Sequence, residues 1–249
     1  MKVLGLISGG KDSCFNMMKC VELGHEIVAL ANLYPPNSGE LDSYMYQSVG
    51  HEIIDLYSKA MQLPLFRRPI LGKSQLITAE YKETIDDEVE DLYMLLKEVM
   101  ESIEIEAVSV GAILSEYQNC RVEHVCRRLN LKPLCLLWQR DQLSLLDEMI
   151  DSNIQAVIVK VASLGLNEAH LLKSLSEMRE HLVEMNKKYG LNVCGEGGEY
   201  ETITLDCPLF KSYKIKLDEV RPVLHTPDPY TPVAYVSILK SSLLPKSLT

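Results

Sequence analysis

Ser8-Gly9-Gly10-Lys11-Asp12-Ser13 gathers two adjacent glycines, a lysine, a carboxylate and two hydroxyls into six consecutive positions. A phosphate site uses these parts. Glycines let backbone N–H groups approach an anion closely, and the start of a following helix adds partial positive charge. That helix contribution is only about 0.3–1 kcal/mol when exposed, so Lys11 has to supply the larger attraction. Asp12 offers an oxygen to Mg²⁺, which commonly takes one or two carboxylates together with phosphate. The spacing is not the Walker loop, which separates its glycines by four residues and follows its lysine with Ser or Thr. Nor is it G-x-G-x-x-G. Taken as a bare hexapeptide, a tight glycine turn with Asp12 or Ser13 as helix cap is the favoured reading. Its position directly after an apolar strand reverses that preference.

A second group of chemistry-bearing residues is Gly195-Glu196-Gly197-Gly198-Glu199-Tyr200-Glu201-Thr202. Charge runs usually face water, and a solvated acidic turn is the default interpretation. Three acids among three glycines, flanked by apolar residues, fit a shaped ligand loop better. A third block, Tyr117-Gln118-Asn119-Cys120-Arg121-Val122-Glu123, holds an arginine able to grip a phosphate or carboxylate through two hydrogen bonds. A surface charge or a salt bridge near Glu123 is an equal reading of Arg121. Tyr44, Tyr46 and Gln47 begin a helix near the expected nucleotide mouth, where the two tyrosines serve packing as readily as contact. His51 fits either role, and Trp138 is expected to pack where two lobes meet. The seven cysteines, at 14, 20, 120, 126, 135, 194 and 207, show no C-x-x-C spacing. Buried thiols in a reducing compartment account for them.

Positioning these groups requires elements, and the pattern supplies them. VLGLI within residues 2–7 is a short buried strand, followed by an amphipathic helix over 13–23 that Gly24 can close. Strands are expected at 26–31, 65–70, 107–113 and 154–162. Helices are expected at 43–61, 87–101, 116–129, 141–151 and 168–188, and PLCLLW at 133–138 is apolar. Strands alternating with helices imply parallel pairing and an open α/β sheet. After Gly190 the pattern becomes glycine- and acid-rich and then strand-like, through KSYKIKL and VAYVSILK. Two domains follow: a nucleotide-binding domain over 1–137 and a second, smaller α/β lobe over 138–249.

With 249 residues and a net charge of −10, the chain can bury a sizeable core but is poorly suited to nucleic acid. A partner with a basic surface is easier to reconcile. No apolar run is long enough for a membrane span and the amino terminus lacks a signal-peptide core, so a soluble cytoplasmic protein is expected.

SGGKDS after an amino-terminal apolar strand resembles the PP-loop ATP pyrophosphatases. The resemblance narrows through LDSYMYQSVGHEIIDLY at 41–57, DEVEDLY at 87–93, the stretch from Ser109 to Gln142 and CGEGGEYETITLDCPLF at 194–210. Together these are similar to the diphthine–ammonia ligase family over nearly the whole chain. The six-residue motif specifies the superfamily, and the GEGGEYET and YQ-x-x-RVE blocks specify the family. The chain departs from it at Asn119, where relatives have a basic residue, and over 72–86.

The resemblance implies a HUP-type (adenine nucleotide α-hydrolase-like) sheet followed by a family-specific substrate-binding lobe. It implies ATP and Mg²⁺ as cofactors, ammonium as nitrogen donor and diphthine-modified elongation factor two as protein substrate. The carboxylate would be activated as an acyl-adenylate, with AMP and pyrophosphate released. On this basis Ser8, Gly9, Gly10, Lys11, Asp12 and Ser13 hold the phosphates, with Asp12 on the metal. Ala31, Asn32 and Gly111 border the nucleotide. Lys11, Asp12, Glu199 and Arg121 carry the chemistry, and Tyr44, Gln47, Tyr117, Gln118, Glu196 and Glu201 face the acceptor. The three glutamates either complete a metal site or orient ammonium and the cationic part of diphthine, one of them serving as base. With no amino-terminal cysteine nucleophile, free ammonium or a separate glutaminase supplies the nitrogen. The rival readings are another PP-loop enzyme, such as a tRNA thiolase or lysidine-type ligase, and a non-catalytic nucleotide sensor. Acidity and scattered cysteines count against the first. The second has little need for Asp12 or the glutamates.

Overall fold

The computed structural model describes residues 1–36, 49–76, 81–228 and 230–246. The chain divides into two compact units. Met1–Ser8, Asp12–Ile54 and Leu63–Trp138 form the first; Gly9–Lys11, Asp55–Gln62 and Gln139–Thr249 form the second.

In the first unit, β1 (Lys2–Leu6), β2 (Glu26–Tyr34), β3 (Leu65–Pro69), β4 (Ala107–Ser109) and β5 (Lys132–Leu134) make a parallel sheet in the order β3-β2-β1-β4-β5. The chain winds outward from β1 through β2 and β3, then returns to lay β4 and β5 on the other side. That reversal marks the crevice beyond the carboxyl ends of β1 and β4 as the place where open α/β sheets take ligands. Central strands covered on both faces have to be apolar throughout, and Val3 and Leu4 are fully buried.

Helices α1 (Lys11–Glu22), α3 (Glu88–Ser102) and α4 (Glu116–Arg128) accompany this sheet, and α2 (Ile54–Met61) precedes β3. In α3, Val89, Leu92, Leu95, Leu96 and Val99 follow helical spacing and join Leu4, Ala29, Ala31, Val108 and Val125 in the main core. Each such side chain contributes roughly 1.5–3 kcal/mol on burial. Asp87 starts α3 by accepting from the Val89 N–H at 3.0 Å. The start of α1 lies two residues earlier than the pattern suggested. Asp12 and Ser13 therefore sit inside its first turn instead of capping it.

The second unit contains α5 (Gln142–Asp151), α6 (Leu175–Tyr189), β6 (Gln155–Val161), β7 (Tyr200–Asp206), β8 (Tyr213–Thr226) and β9 (Val233–Pro245). Its sheet runs β7-β6-β9-β8 and is antiparallel, so the parallel alternation expected to continue through 154–162 stops here. The reason lies after β6. Residues 162–173 double back along that strand, where the Ile158 N–H reaches the Lys173 carbonyl at 3.0 Å and the Leu172 N–H reaches the Ile158 carbonyl at 2.7 Å. Helix α6 thus begins beside the middle of β6 and returns the chain to its far end. Tyr200 opposite Val161 then starts β7 in the reverse direction. Ser174 and Glu177 form a capping box at the start of α6, and Gly190 closes it at φ 76°. No helix among the described residues is long and apolar enough to cross a membrane.

Candidate functional site

Gly9 adopts φ 87°, a conformation that favours glycine. Its carbonyl accepts the Thr204 N–H at 2.8 Å and lies 2.8 Å from the Tyr57 hydroxyl. A trans peptide sets C=O and the next N–H on opposite sides. Fixing the Gly9 oxygen toward β7 therefore turns the Gly10 N–H away from β7. The Lys11 N–H, in the first turn of α1, donates to Thr202 Oγ1 at 3.1 Å.

In the first unit the Ser8 N–H reaches Ser13 Oγ at 3.4 Å, and the two hydroxyl oxygens are 3.3 Å apart. The loop after β4 passes so close to this turn that a Cβ on Gly111 would lie 2.7 Å from Ser13 N and 2.8 Å from the Asp12 carbonyl carbon. That close approach to the backbone of α1 is by itself a reason for glycine at position 111. Asn16, one turn further along, is buried and spans three elements. Its Nδ2 donates to Ser109 Oγ and to the Leu134 carbonyl, both at 2.7 Å, and its Oδ1 accepts the Leu136 N–H at 2.8 Å.

Ala31 and Asn32 lie at the carboxyl end of β2. The Ala31 carbonyl accepts the Ile7 N–H at 2.9 Å, and Asn32 Nδ2 donates to the Ile7 carbonyl at 2.8 Å. Arg67 donates from Nε to Asn32 Oδ1 at 3.1 Å and from its terminal nitrogen to the His51 carbonyl at 2.9 Å, with its guanidinium 4.7 Å above the Tyr34 ring. Burial pushes the His51 imidazole below its ordinary value, which favours a neutral ring stacked on Tyr34. Tyr44, Tyr46 and Gln47 lie outside the described residues.

Lys11 is 2% exposed, with Nζ 2.6 Å from the Cys194 carbonyl and 5.1 Å from the Tyr200 ring centroid. Through its amide and its ammonium, Lys11 therefore holds both ends of the glutamate segment, Thr202 and Cys194. Within that segment Gly195, Gly197 and Gly198 have φ of 74°, 79° and 78°. The three half-buried glutamates have different surroundings. Glu199 accepts the Asn192 N–H at 2.6 Å, and burial raises its carboxyl above the ordinary value, partly offset by that bond. Glu201 pairs with Lys160 at 3.2 Å. Among the described residues no group of three or more His, Cys, Asp or Glu is placed to hold a metal ion.

Arg121 is fully buried, which rules out the surface-charge reading. It donates to the Tyr117 carbonyl at 3.1 Å and to the Leu76 carbonyl, and its guanidinium lies 3.3 Å from the Tyr117 ring centroid. The segment it touches is fastened by carboxylates at the start of α3. Asp91 accepts the Leu71 and Gly72 N–H groups at 2.7 and 2.8 Å, Asp87 accepts the Gln75 N–H at 3.1 Å, and Glu88 accepts from the Ser74 hydroxyl at 2.6 Å. The Gln118 N–H is spent on the Ser115 cap at 3.3 Å. Trp138 packs, partly buried, against the main core of the first unit.

None of the seven cysteines is assigned to a disulfide. Burial pushes the Cys126 thiol up to about 12 and Cys135 up to about 11, leaving little thiolate near neutrality. The sequence reading passed over Tyr57, Thr204, Asn16 and Arg67 and gave Thr202 no role. Each acts through hydrogen bonds to residues distant in the chain, which no local spacing reveals.

Residues 1–133 match the family described as diphthamide synthase N-terminal domain, and 141–237 match the diphthamide synthase C-terminal domain. A Bos taurus protein named diphthine–ammonia ligase is 61% identical over 98% of this chain and 92% of its own length. The Homo sapiens protein of that name is 60% identical over the same shares. A longer Schizosaccharomyces pombe relative, also so named, is 57% identical over 88% of this chain and 36% of its own length. Both halves of the family pattern are thus present in order along one chain, with the glycine loop in the first and the glutamate segment in the second: the chain belongs to the diphthine–ammonia ligase (diphthamide synthase) family.

Proposed function

We propose that this chain amidates the carboxylate of diphthine on elongation factor two with ammonium, at the expense of ATP, releasing AMP and pyrophosphate. A carboxylate is a poor acceptor because its leaving group would be oxide. Transfer of adenylate to it supplies a good leaving group and neutralises the acyl oxygen. Alignment of the reacting groups can contribute up to about 7–11 kcal/mol in ideal cases.

The loop suits a polyphosphate. Gly9 is held in a conformation that presents the Gly10 N–H on the side away from β7, at the start of a 12-residue helix. In this reading Gly9 and Gly10 hold the pyrophosphate by backbone, Ser8 and Ser13 by hydroxyl, and Lys11 by charge. Asp12 would hold Mg²⁺ together with phosphate oxygens; the ion would offset charge on the departing pyrophosphate. Ala31 and Asn32 border the adenine. Glu199, with its raised carboxyl, serves as base toward ammonium, and Glu196 and Glu201 orient the acceptor. Tyr117 and Gln118, with Tyr44 and Gln47, face the protein substrate. Arg121 acts by position, fixing α4 to residues 71–76. The reaction belongs to the cytoplasm, a reducing compartment that seven cysteines outside disulfides suit.

The observation that carries this reading is the grip of Lys11 on both Cys194 and Thr202, which ties the phosphate loop to the glutamate segment. The test is incubation with ATP, Mg²⁺, ammonium and diphthine-bearing elongation factor. Stoichiometric AMP and a mass change from acid to amide at the modified histidine are expected. ADP in place of AMP would refute the adenylate route.

A further inference from the structure

Tyr57 is buried, on α2, and its hydroxyl serves neither the core nor solvent. The ring packs edge-on against Phe210 at 5.5 Å between centroids. The hydroxyl oxygen lies 2.8 Å from the Gly9 carbonyl and 2.7 Å from the Thr204 carbonyl, and its single hydrogen can go to either. The Thr204 N–H reaches the same Gly9 oxygen at 2.8 Å. A peptide in a glycine-glycine pair has almost no steric preference for one face over the other. The Thr204 N–H, together with the Tyr57 hydroxyl when its hydrogen is directed at Gly9, sets that face. The geometry points to Tyr57 as a positioning residue of the phosphate loop: by holding the Gly9 oxygen, it keeps the Gly10 N–H turned to the nucleotide side. It would not touch ATP.

This inference rests on the nucleotide reading of residues 8–13. A peptide flip at Gly9–Gly10 would put a carbonyl oxygen where an anion needs a donor, so losing one of two restraints should weaken ATP without altering the chemistry that follows. A neutral hydrogen bond of about 0.5–1.5 kcal/mol corresponds to roughly two- to tenfold in binding. Tyr57→Phe keeps the ring against Phe210 and removes only the hydroxyl. Phe210→Leu disturbs the same packing and leaves the hydroxyl in place.

The experiment measures ATP dissociation constants by calorimetry, ATP KM and kcat for amide formation, and hydrogen exchange at Gly10, in the full chain and both variants. Y57F should raise the ATP Kd and KM by a factor of about two to ten. It should change kcat at saturating ATP by less than about twofold and speed exchange at Gly10, which is expected to be slowest with nucleotide bound. F210L should lower the thermal midpoint by at least as much as Y57F while leaving ATP affinity near wild type. Unchanged ATP affinity in Y57F, or an equal loss in F210L, would overturn the inference alone, provided that the wild type binds ATP. A wild type that binds no ATP would overturn the nucleotide reading and this inference with it.

Discussion

Glu199 keeps one oxygen 2.6 Å from the Asn192 N–H while burial disfavours its charge. Its folded-state pKa lies above the ordinary 4.5, so the native state retains the proton longer than the unfolded chain. The associated stability is complete below pH 4.5 and falls as pH rises through the elevated value. Glu199→Gln keeps an oxygen for Asn192 and should flatten that decline, read as urea midpoints across the window. If Glu199 is the base, the same variant should lower ammonia-dependent kcat by about 10²-fold or more with ATP KM unchanged. Full turnover in Glu199→Ala would remove that role. Asn16 offers a contrasting case, structural in origin. Asn16→Leu strands the Leu136 N–H and the Leu134 carbonyl, and each buried orphan costs about 1–3 kcal/mol, measurable by denaturant unfolding. Chemical type and local spacing made SGGKDS and GEGGEYET readable from sequence. The burial of Arg121 was not readable, because it depends on the Leu76 carbonyl 45 positions away.

Between elements of the first unit, the loop after β4 passes close against the first turn of α1. Gly111→Ala would drive a methyl into the backbone of Asp12 and Ser13, which cannot rotate aside. A loss of about 1–3 kcal/mol and weaker ATP binding are expected. Gly5→Ala meets chiefly the Met17 side chain, with its sulfur at 2.2 Å, and a thioether can change rotamer. It should cost less and spare ATP affinity; equal losses in both properties would contradict this account. Four of the five strands of the first sheet were legible between helices, the central ones as apolar runs because parallel strands there must be apolar on both faces; β5 showed only as the start of an apolar stretch. The antiparallel second sheet was not, since the doubling back of residues 162–173 follows from hydrogen bonds to Ile158 and leaves no compositional mark.

For the molecule as a whole, charge sets the partners. A net −10 opposes association with polyanions. Transfer RNA should bind no better than the roughly 10⁻⁴–10⁻⁶ M typical of non-specific contacts, by gel shift at physiological salt. Tight RNA binding would revive the tRNA-modifying alternative. One consequence of the Gly9 and Lys11 contacts concerns biosynthesis. The groups that fix Gly9, Lys11 and the Lys11 ammonium, at 194, 202 and 204, leave the ribosome almost two hundred residues after the hexapeptide. A nascent chain halted after Trp138 would own every letter of the motif without its finished shape. Truncation at that point should yield a protein that retains the first sheet and grips ATP feebly.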